Sequence, residues 1–160
     1  MPAPIFRLSF RPAALASLLL ACGGADETRD QPPEAGQAAA PPALELTLTT
    51  AQPSWAAGDS AVAVLTLRNT GGEPAVLNFT SGQRYDFSLL GTDNDTLWSW
   101  SSDKGFIQAL GQETVPPGDQ IAWEERIPLP SRPGTYMLAG SVTSPDAPTV
   151  APIPVVVTPP

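Results

Sequence analysis

The chain has no histidine, and Cys22 is its single cysteine in 160 residues. Without histidine, no Ser-His-Asp or Cys-His nucleophile system can be assembled. Cys/His zinc sites fall with it, and one cysteine cannot close a disulfide within the chain. The fold must therefore stand on packing. Cations are scarce as well: 8 Lys and Arg stand against 16 Asp and Glu, a formal net charge of −8. Phosphate recognition needs clustered cations, so no nucleic-acid partner is expected. Nor is there a membrane-spanning run, because Ala13–Leu20 falls well short of the about 20 apolar residues a bilayer requires.

What the sequence does have is punctuation. Twenty prolines and 13 glycines separate short β-branched and aromatic runs, and no sustained helical period follows the N-terminus. One all-β domain with appendages fits this length and pattern.

The N-terminus reads as an address. Arg7 and Arg11 precede the apolar stretch Ala13–Leu20, and Leu19-Leu20-Ala21-Cys22 has the form of a lipobox. Residues 1–21 are expected to be a lipoprotein signal peptide, cleaved before Cys22, whose thiol and new amine then take acyl chains. Two or more chains anchor stably where one is marginal. The alternative is an ordinary signal peptide that contains a cysteine; Leu20 before Ala21 is less typical of the motif than a small residue. Export to the cell membrane or outer membrane follows from this reading, and Gly23 after the cysteine fits the latter. Cleavage removes two arginines, leaving 6 basic and 16 acidic residues, a charge of −10. Residues 22–42 are rich in Ala, Gly, Pro, Gln and acids and have no large apolar side chain. They are expected to form a disordered tether with a reach of about 25 Å.

The folded domain is expected over residues 43–160. Leu44, Leu46 and Leu48 alternate with polar residues, and Ala63, Leu65 and Leu67 do the same after a turn at Ala57–Asp59. Asn69–Glu73 (NTGGE) predicts a hairpin into Pro74–Phe79, with its glycines at positive φ. In Asn78–Phe87 (NFTSGQRYDF), Gly82 marks a sharp bend, and Tyr85, Phe87 and Leu89 share one face. Thr96–Trp100 pairs with this strand across the turn Gly91–Asp95. Phe106–Val115 reads as an irregular strand broken near Gly111. Pro116-Pro117-Gly118-Asp119 is a turn leading to Gln120–Ile127, where Ile121, Trp123 and Ile127 share a face. Tyr136, Leu138 and Val142 point inward on the strand opened by Pro133-Gly134. Val150–Thr158, interrupted by Pro152 and Pro154, is expected to be an edge strand or a loose tail.

Five pieces carry a family resemblance: SGQRYDF, LWSWS, FIQALG, PPGDQIAWEE and PGTYMLAGSV, in that order. Together they resemble the intracellular proteinase inhibitor (BsuPI-like) family over Leu44–Val142, about two-thirds of the chain. The resemblance implies an immunoglobulin-like antiparallel β-sandwich and, by analogy, inhibition of a serine protease by protein–protein contact. It gives no inhibitory residues to carry over. Tyr136 stands where such sandwiches place a tyrosine corner. A non-inhibitory envelope binding or assembly module on the same fold is the alternative function. A monomer is expected.

Tyr85, Phe87, Trp98, Trp100, Phe106, Trp123 and Tyr136 read as core and fold signature, the tryptophans packing between sheets in preference to a binding platform. Trp55, at a loop, is expected to be the exposed tryptophan. Gly91–Thr96 has a few calcium-loop positions but lacks the later glycine and bidentate glutamate, so no metal and no cofactor is expected. Glu124 and Glu125 point to opposite faces of a strand; convergence of Asp86, Asp103 and Glu113 is left open by the sequence, but no enzymatic activity is expected. Ser81, Gly82, Gln83 and Arg84 remain as the candidate partner-binding loop, with Arg84 suited to a trypsin-like pocket.

Overall fold

The computed structural model describes residues 41–160. The signal peptide, Cys22 and nearly all of the tether lie outside them. Ten strands follow: β1 (Leu44–Thr50), β2 (Ser54–Ala56), β3 (Ser60–Asn69), β4 (Ala75–Phe79), β5 (Tyr85–Leu90), β6 (Thr96–Ser99), β7 (Gly111–Val115), β8 (Gln120–Pro128), β9 (Gly134–Val142) and β10 (Ile153–Thr158). They form a three-stranded sheet β1-β3-β8, a five-stranded sheet β2-β10-β9-β5-β6, and the separate pair β4-β7. Pairing is antiparallel except for β2 on β10, a parallel pair of three residues.

The two larger sheets lie face to face. A Cβ added at Gly140 on β9 would sit 3.0 Å from Leu65 on β3 and 3.2 Å from Leu48 on β1. Between them is a core that includes Leu65, Leu67, Leu77, Phe79, Phe87, Leu89, Ile127, Leu138 and Val155. The strict alternation of β3, with Ala61, Ala63, Leu65 and Leu67 all buried, shows why the period-2 pattern becomes a strand: this phase hides both leucines, while Val62 and Val64 are half-buried on the other face. A sheet of β1, β3 and β8 against one ordered β10-β9-β5-β6 is the immunoglobulin-like arrangement. The corner is present too: the Tyr136 hydroxyl donates to the Arg132 carbonyl at 2.8 Å.

Several sequence expectations change. Asn69–Glu73 is no hairpin, because β4 pairs with β7 and β3 with β1 and β8. Its glycines are not at positive φ; that conformation belongs to Gly58, Gly118 and Asn94. Gly71 is small for another reason: a Cβ there would collide with the backbone of Pro41 and Ala43. Asn69 organises this crossing while fully buried. Its Nδ2 donates to the carbonyls of Glu73 and Val115 at 2.8 and 2.9 Å, and its Oδ1 accepts from the amides of Gly71 and Ala43.

Trp55 is 7% exposed and belongs to the core, held there by the pairing of β2 with the C-terminal strand. That strand is not a loose tail, for β10 is sandwiched between β9 and β2. Pro154 is tolerated because β2 covers only Val156–Thr158, leaving the proline in a stretch paired on one side. Finally, Phe106–Leu110 is no strand; regular pairing starts at Gly111.

Candidate functional site

One end of the sandwich collects Tyr85, Phe87, Trp100, Phe106 and Trp123, whereas Tyr136 lies toward the other end of β9, beyond the Leu90–Met137 pair. Tyr85 on β5 stacks at 4.4 Å from Trp100 and 5.5 Å from Trp123 on β8, with interplanar angles near 30°. Phe106 continues the ladder 5.9 Å beyond Trp100, and Phe87 meets Tyr85 edge-on at 5.8 Å. Phe87 and Tyr136 are buried; Tyr85, Trp98, Trp100, Phe106 and Trp123 are half-buried. Lys104 lies over the outer face of Trp100 at 4.5 Å and donates to its carbonyl.

The Tyr85 hydroxyl donates to Glu125 Oε1 at 2.6 Å. Burial, then the hydrogen bond to Glu125 and its negative charge, push the phenol well above its ordinary value of 10.0. Glu125 is half-buried while Glu124 is exposed. The inward phase of Glu125, two residues after Trp123, was the signal in the sequence that could have found it. Asp86 is taken up by the Phe87 amide, the Ser101 amide and the hydroxyls of Ser99 and Ser101, so it closes the turn after β6. Asp103 pairs with Lys104 and Glu113 with Arg84. These three carboxylates therefore have separate partners, and no group of three acidic or sulfur ligands suited to a metal occurs among the described residues. Asp146 accepts from the side-chain and backbone nitrogens of Asn78, which hold its carboxyl below the usual range.

Arg84 is a clamp in this structure. Its Nε donates to Glu113 at 2.8 Å and Nη1 to the Ser81 carbonyl at 2.7 Å, while the guanidinium lies 4.3 Å over the Phe79 ring. Only 28% of the side chain is exposed. Its Nε and Nη1 are bonded inside the domain, so the side chain is turned inward and is not projected as a trypsin-type anchor. Ser81 and Gln83 are half-buried beside it, the Ser81 hydroxyl accepting from the Gln83 amide. Gly82 serves a close approach: its amide donates to the Ile107 carbonyl at 2.8 Å, and a Cβ would lie 3.1 Å from Ile107 Cγ1.

That contact leads to residues sequence reasoning passed over. Ile107 is 75% and Leu110 87% exposed, against 46% for Leu97, the next most exposed large apolar residue among those described. Leu110 also borders a groove of about 480 Å³ with Asn78, Phe79, Thr80, Gln112 and Pro145. The run FIQALG was visible, but a stretch of apolar residues gives no sign of which ones escape burial.

The family model for the BsuPI intracellular proteinase inhibitor matches residues 48–146. The chain belongs to that family. The BsuPI match spans the Arg84 clamp, the aromatic ladder and the exposed run, and stops before β10. No curated protein matches the sequence. Among solved structures, the sporulation control protein Spo0M of Bacillus subtilis is similar at 12% identity and TM-score 0.48, covering 72% of this chain and 49% of its own. The CARDB domain of a Pyrococcus furiosus protein is similar at 11% identity and TM-score 0.43, covering 73% and 89%. A β-glucosidase from Listeria innocua is similar at 13% and 0.44, over 72% of this chain and only 16% of the glucosidase. At these scores none of the three bears on what this BsuPI member does.

Proposed function

We propose that this BsuPI member is an exported, lipid-anchored inhibitor that binds a serine protease through protein–protein contact and performs no catalysis itself. Family membership over residues 48–146 is the observation that carries the reading. Cleavage before Cys22 leaves the acylated cysteine in the cell or outer membrane, with residues 22–42 as the tether and 43–160 as the inhibitory domain, a monomer. The family description is of an intracellular inhibitor, so the export signal redirects the target to an envelope or secreted protease. In this reading Ser81, Gly82, Gln83 and Arg84 serve contact as a rigid brace, because preorganisation lowers the ordering cost of association. The same export signal favours one second reading, an envelope binding module that has lost inhibition.

Titration of the full-length chain, purified in detergent, against a panel of serine proteases separates the two. Saturable one-to-one inhibition with the domain intact supports the inhibitor. Capture of a partner with proteolysis unaffected supports the binding module.

A further inference from the structure

We propose that Gly105–Leu110 is the segment that contacts the protease, with Leu110 entering an apolar pocket of the partner. The inference rests on the inhibitor reading above and adds the residues and the kind of pocket.

Ile107 and Leu110 expose far more apolar surface than any other large hydrophobic residue among those described. Burying such side chains is favourable, a gain this domain leaves uncollected at two positions three residues apart. The backbone is open in the same way. Lys104–Leu110 contains neither turn nor bend, so the chain runs outstretched. From Gly105 to Leu110, among the described residues, the Ile107 carbonyl is the one backbone group in a hydrogen bond. An outstretched segment with free amides and carbonyls can pair with a partner's strand, while its side chains fill pockets.

The segment is also held at both ends. Phe106 rests on Trp100 at 5.9 Å, and Gly111 opens β7 opposite Phe79. Midway, Gly82 grips Ile107 through its amide. Beneath runs the Arg84 clamp to Glu113, and a Cβ at Gly111 would press to 2.8 Å from Arg84 Nη2. Such anchoring spends the ordering entropy before binding. The six residues Gly-Phe-Ile-Gln-Ala-Leu carry no charge, which suits an apolar cleft. Leu110 is the better pocket residue of the two, being more exposed and unbranched at Cβ, whereas the Ile107 side chain is already against Gly82.

The test compares full-length wild type, Leu110→Asp, Leu110→Arg and Leu97→Asp as inhibitors of subtilisin, whose main pocket is apolar, and trypsin, whose pocket is acidic. Urea midpoints confirm that each variant folds, as substitutions at such exposed positions permit. Wild type is expected to inhibit subtilisin in preference to trypsin. Leu110→Asp should weaken that inhibition by about 30-fold, the scale of a binding hot spot, and Leu97→Asp by no more than about twofold. Leu110→Arg should shift the preference toward trypsin. Subtilisin inhibition that survives Leu110→Asp overturns the segment assignment and leaves the inhibitor reading standing. Wild type and Leu110→Arg that inhibit neither enzyme overturn both. Self-association that Leu110→Asp abolishes while inhibition persists reassigns the segment to a second copy of this chain, which also overturns the proposal.

Discussion

Asn69 has no water to fall back on. Its side chain satisfies two carbonyls and two amides from three segments: the loop between β3 and β4, the residue before β1 and the end of β7. Replacing it with alanine strands those groups, each at a cost of roughly 1–3 kcal/mol where water cannot enter. Asn69→Ala should lower stability by about 3 kcal/mol in urea unfolding; a change below about 0.5 kcal/mol would mean the crossing re-forms without it. Tyr85 tests the electrostatics. Its folded phenol titrates above the unfolded value of 10.0, so the native state holds a proton that the unfolded chain releases. The resulting stability is full below pH 10 and declines as pH rises from there through the folded value. Tyr85→Phe should flatten this alkaline decline. In the wild type, tyrosinate absorbance should rise further when the protein is denatured at pH 11.

Elements meet where side chains are smallest. Gly140 faces Leu65 and Leu48 across the sandwich at distances that leave no room for a branched residue. Gly140→Val forces β9 away from β1 and β3 and should cost about 2 kcal/mol, in the range of overpacked cores; thermal unfolding reads the loss, and an unchanged midpoint would show that the sheets can slide apart freely. The phase of every long strand was legible beforehand. In β3, β5 and β9 the inward residues are those that alternation marks, because side chains must alternate across a sheet whatever its partners. Partners were not legible. Trp55 is buried only because β10, a hundred residues later, lies beside it, and β4 finds β7 across an intervening hairpin. The candidate site divides along the same line. Tyr85 and Phe87 could be placed by phase, while the capture of Arg84 by Glu113, 29 residues away, could not.

At the scale of the whole molecule the domain is small, acidic and, by the present proposal, tied to a membrane. The anchor is testable apart from inhibition. Cys22→Ser should abolish incorporation of labelled palmitate and move the protein from the membrane fraction to the soluble one, with the domain's unfolding midpoint unchanged. Persistent membrane association of the variant would point to retention by an uncleaved signal or by a protein partner. Either result leaves the contact segment to be judged on the protease titrations alone.

Composition alone excluded histidine-dependent catalysis, Cys/His zinc and internal disulfides, since a missing side chain is missing in every conformation. Local alternation likewise settled that the domain from residue 43 onward is all-β and which residues of each long strand face inward. Tertiary structure decided the rest: which strand edges meet, that Arg84 turns inward to Glu113, and that Ile107 and Leu110 stay outside. Strand phase is a property of neighbouring residues. Pairing and exposure depend on contacts between residues distant in sequence, and those exist only once the chain has folded.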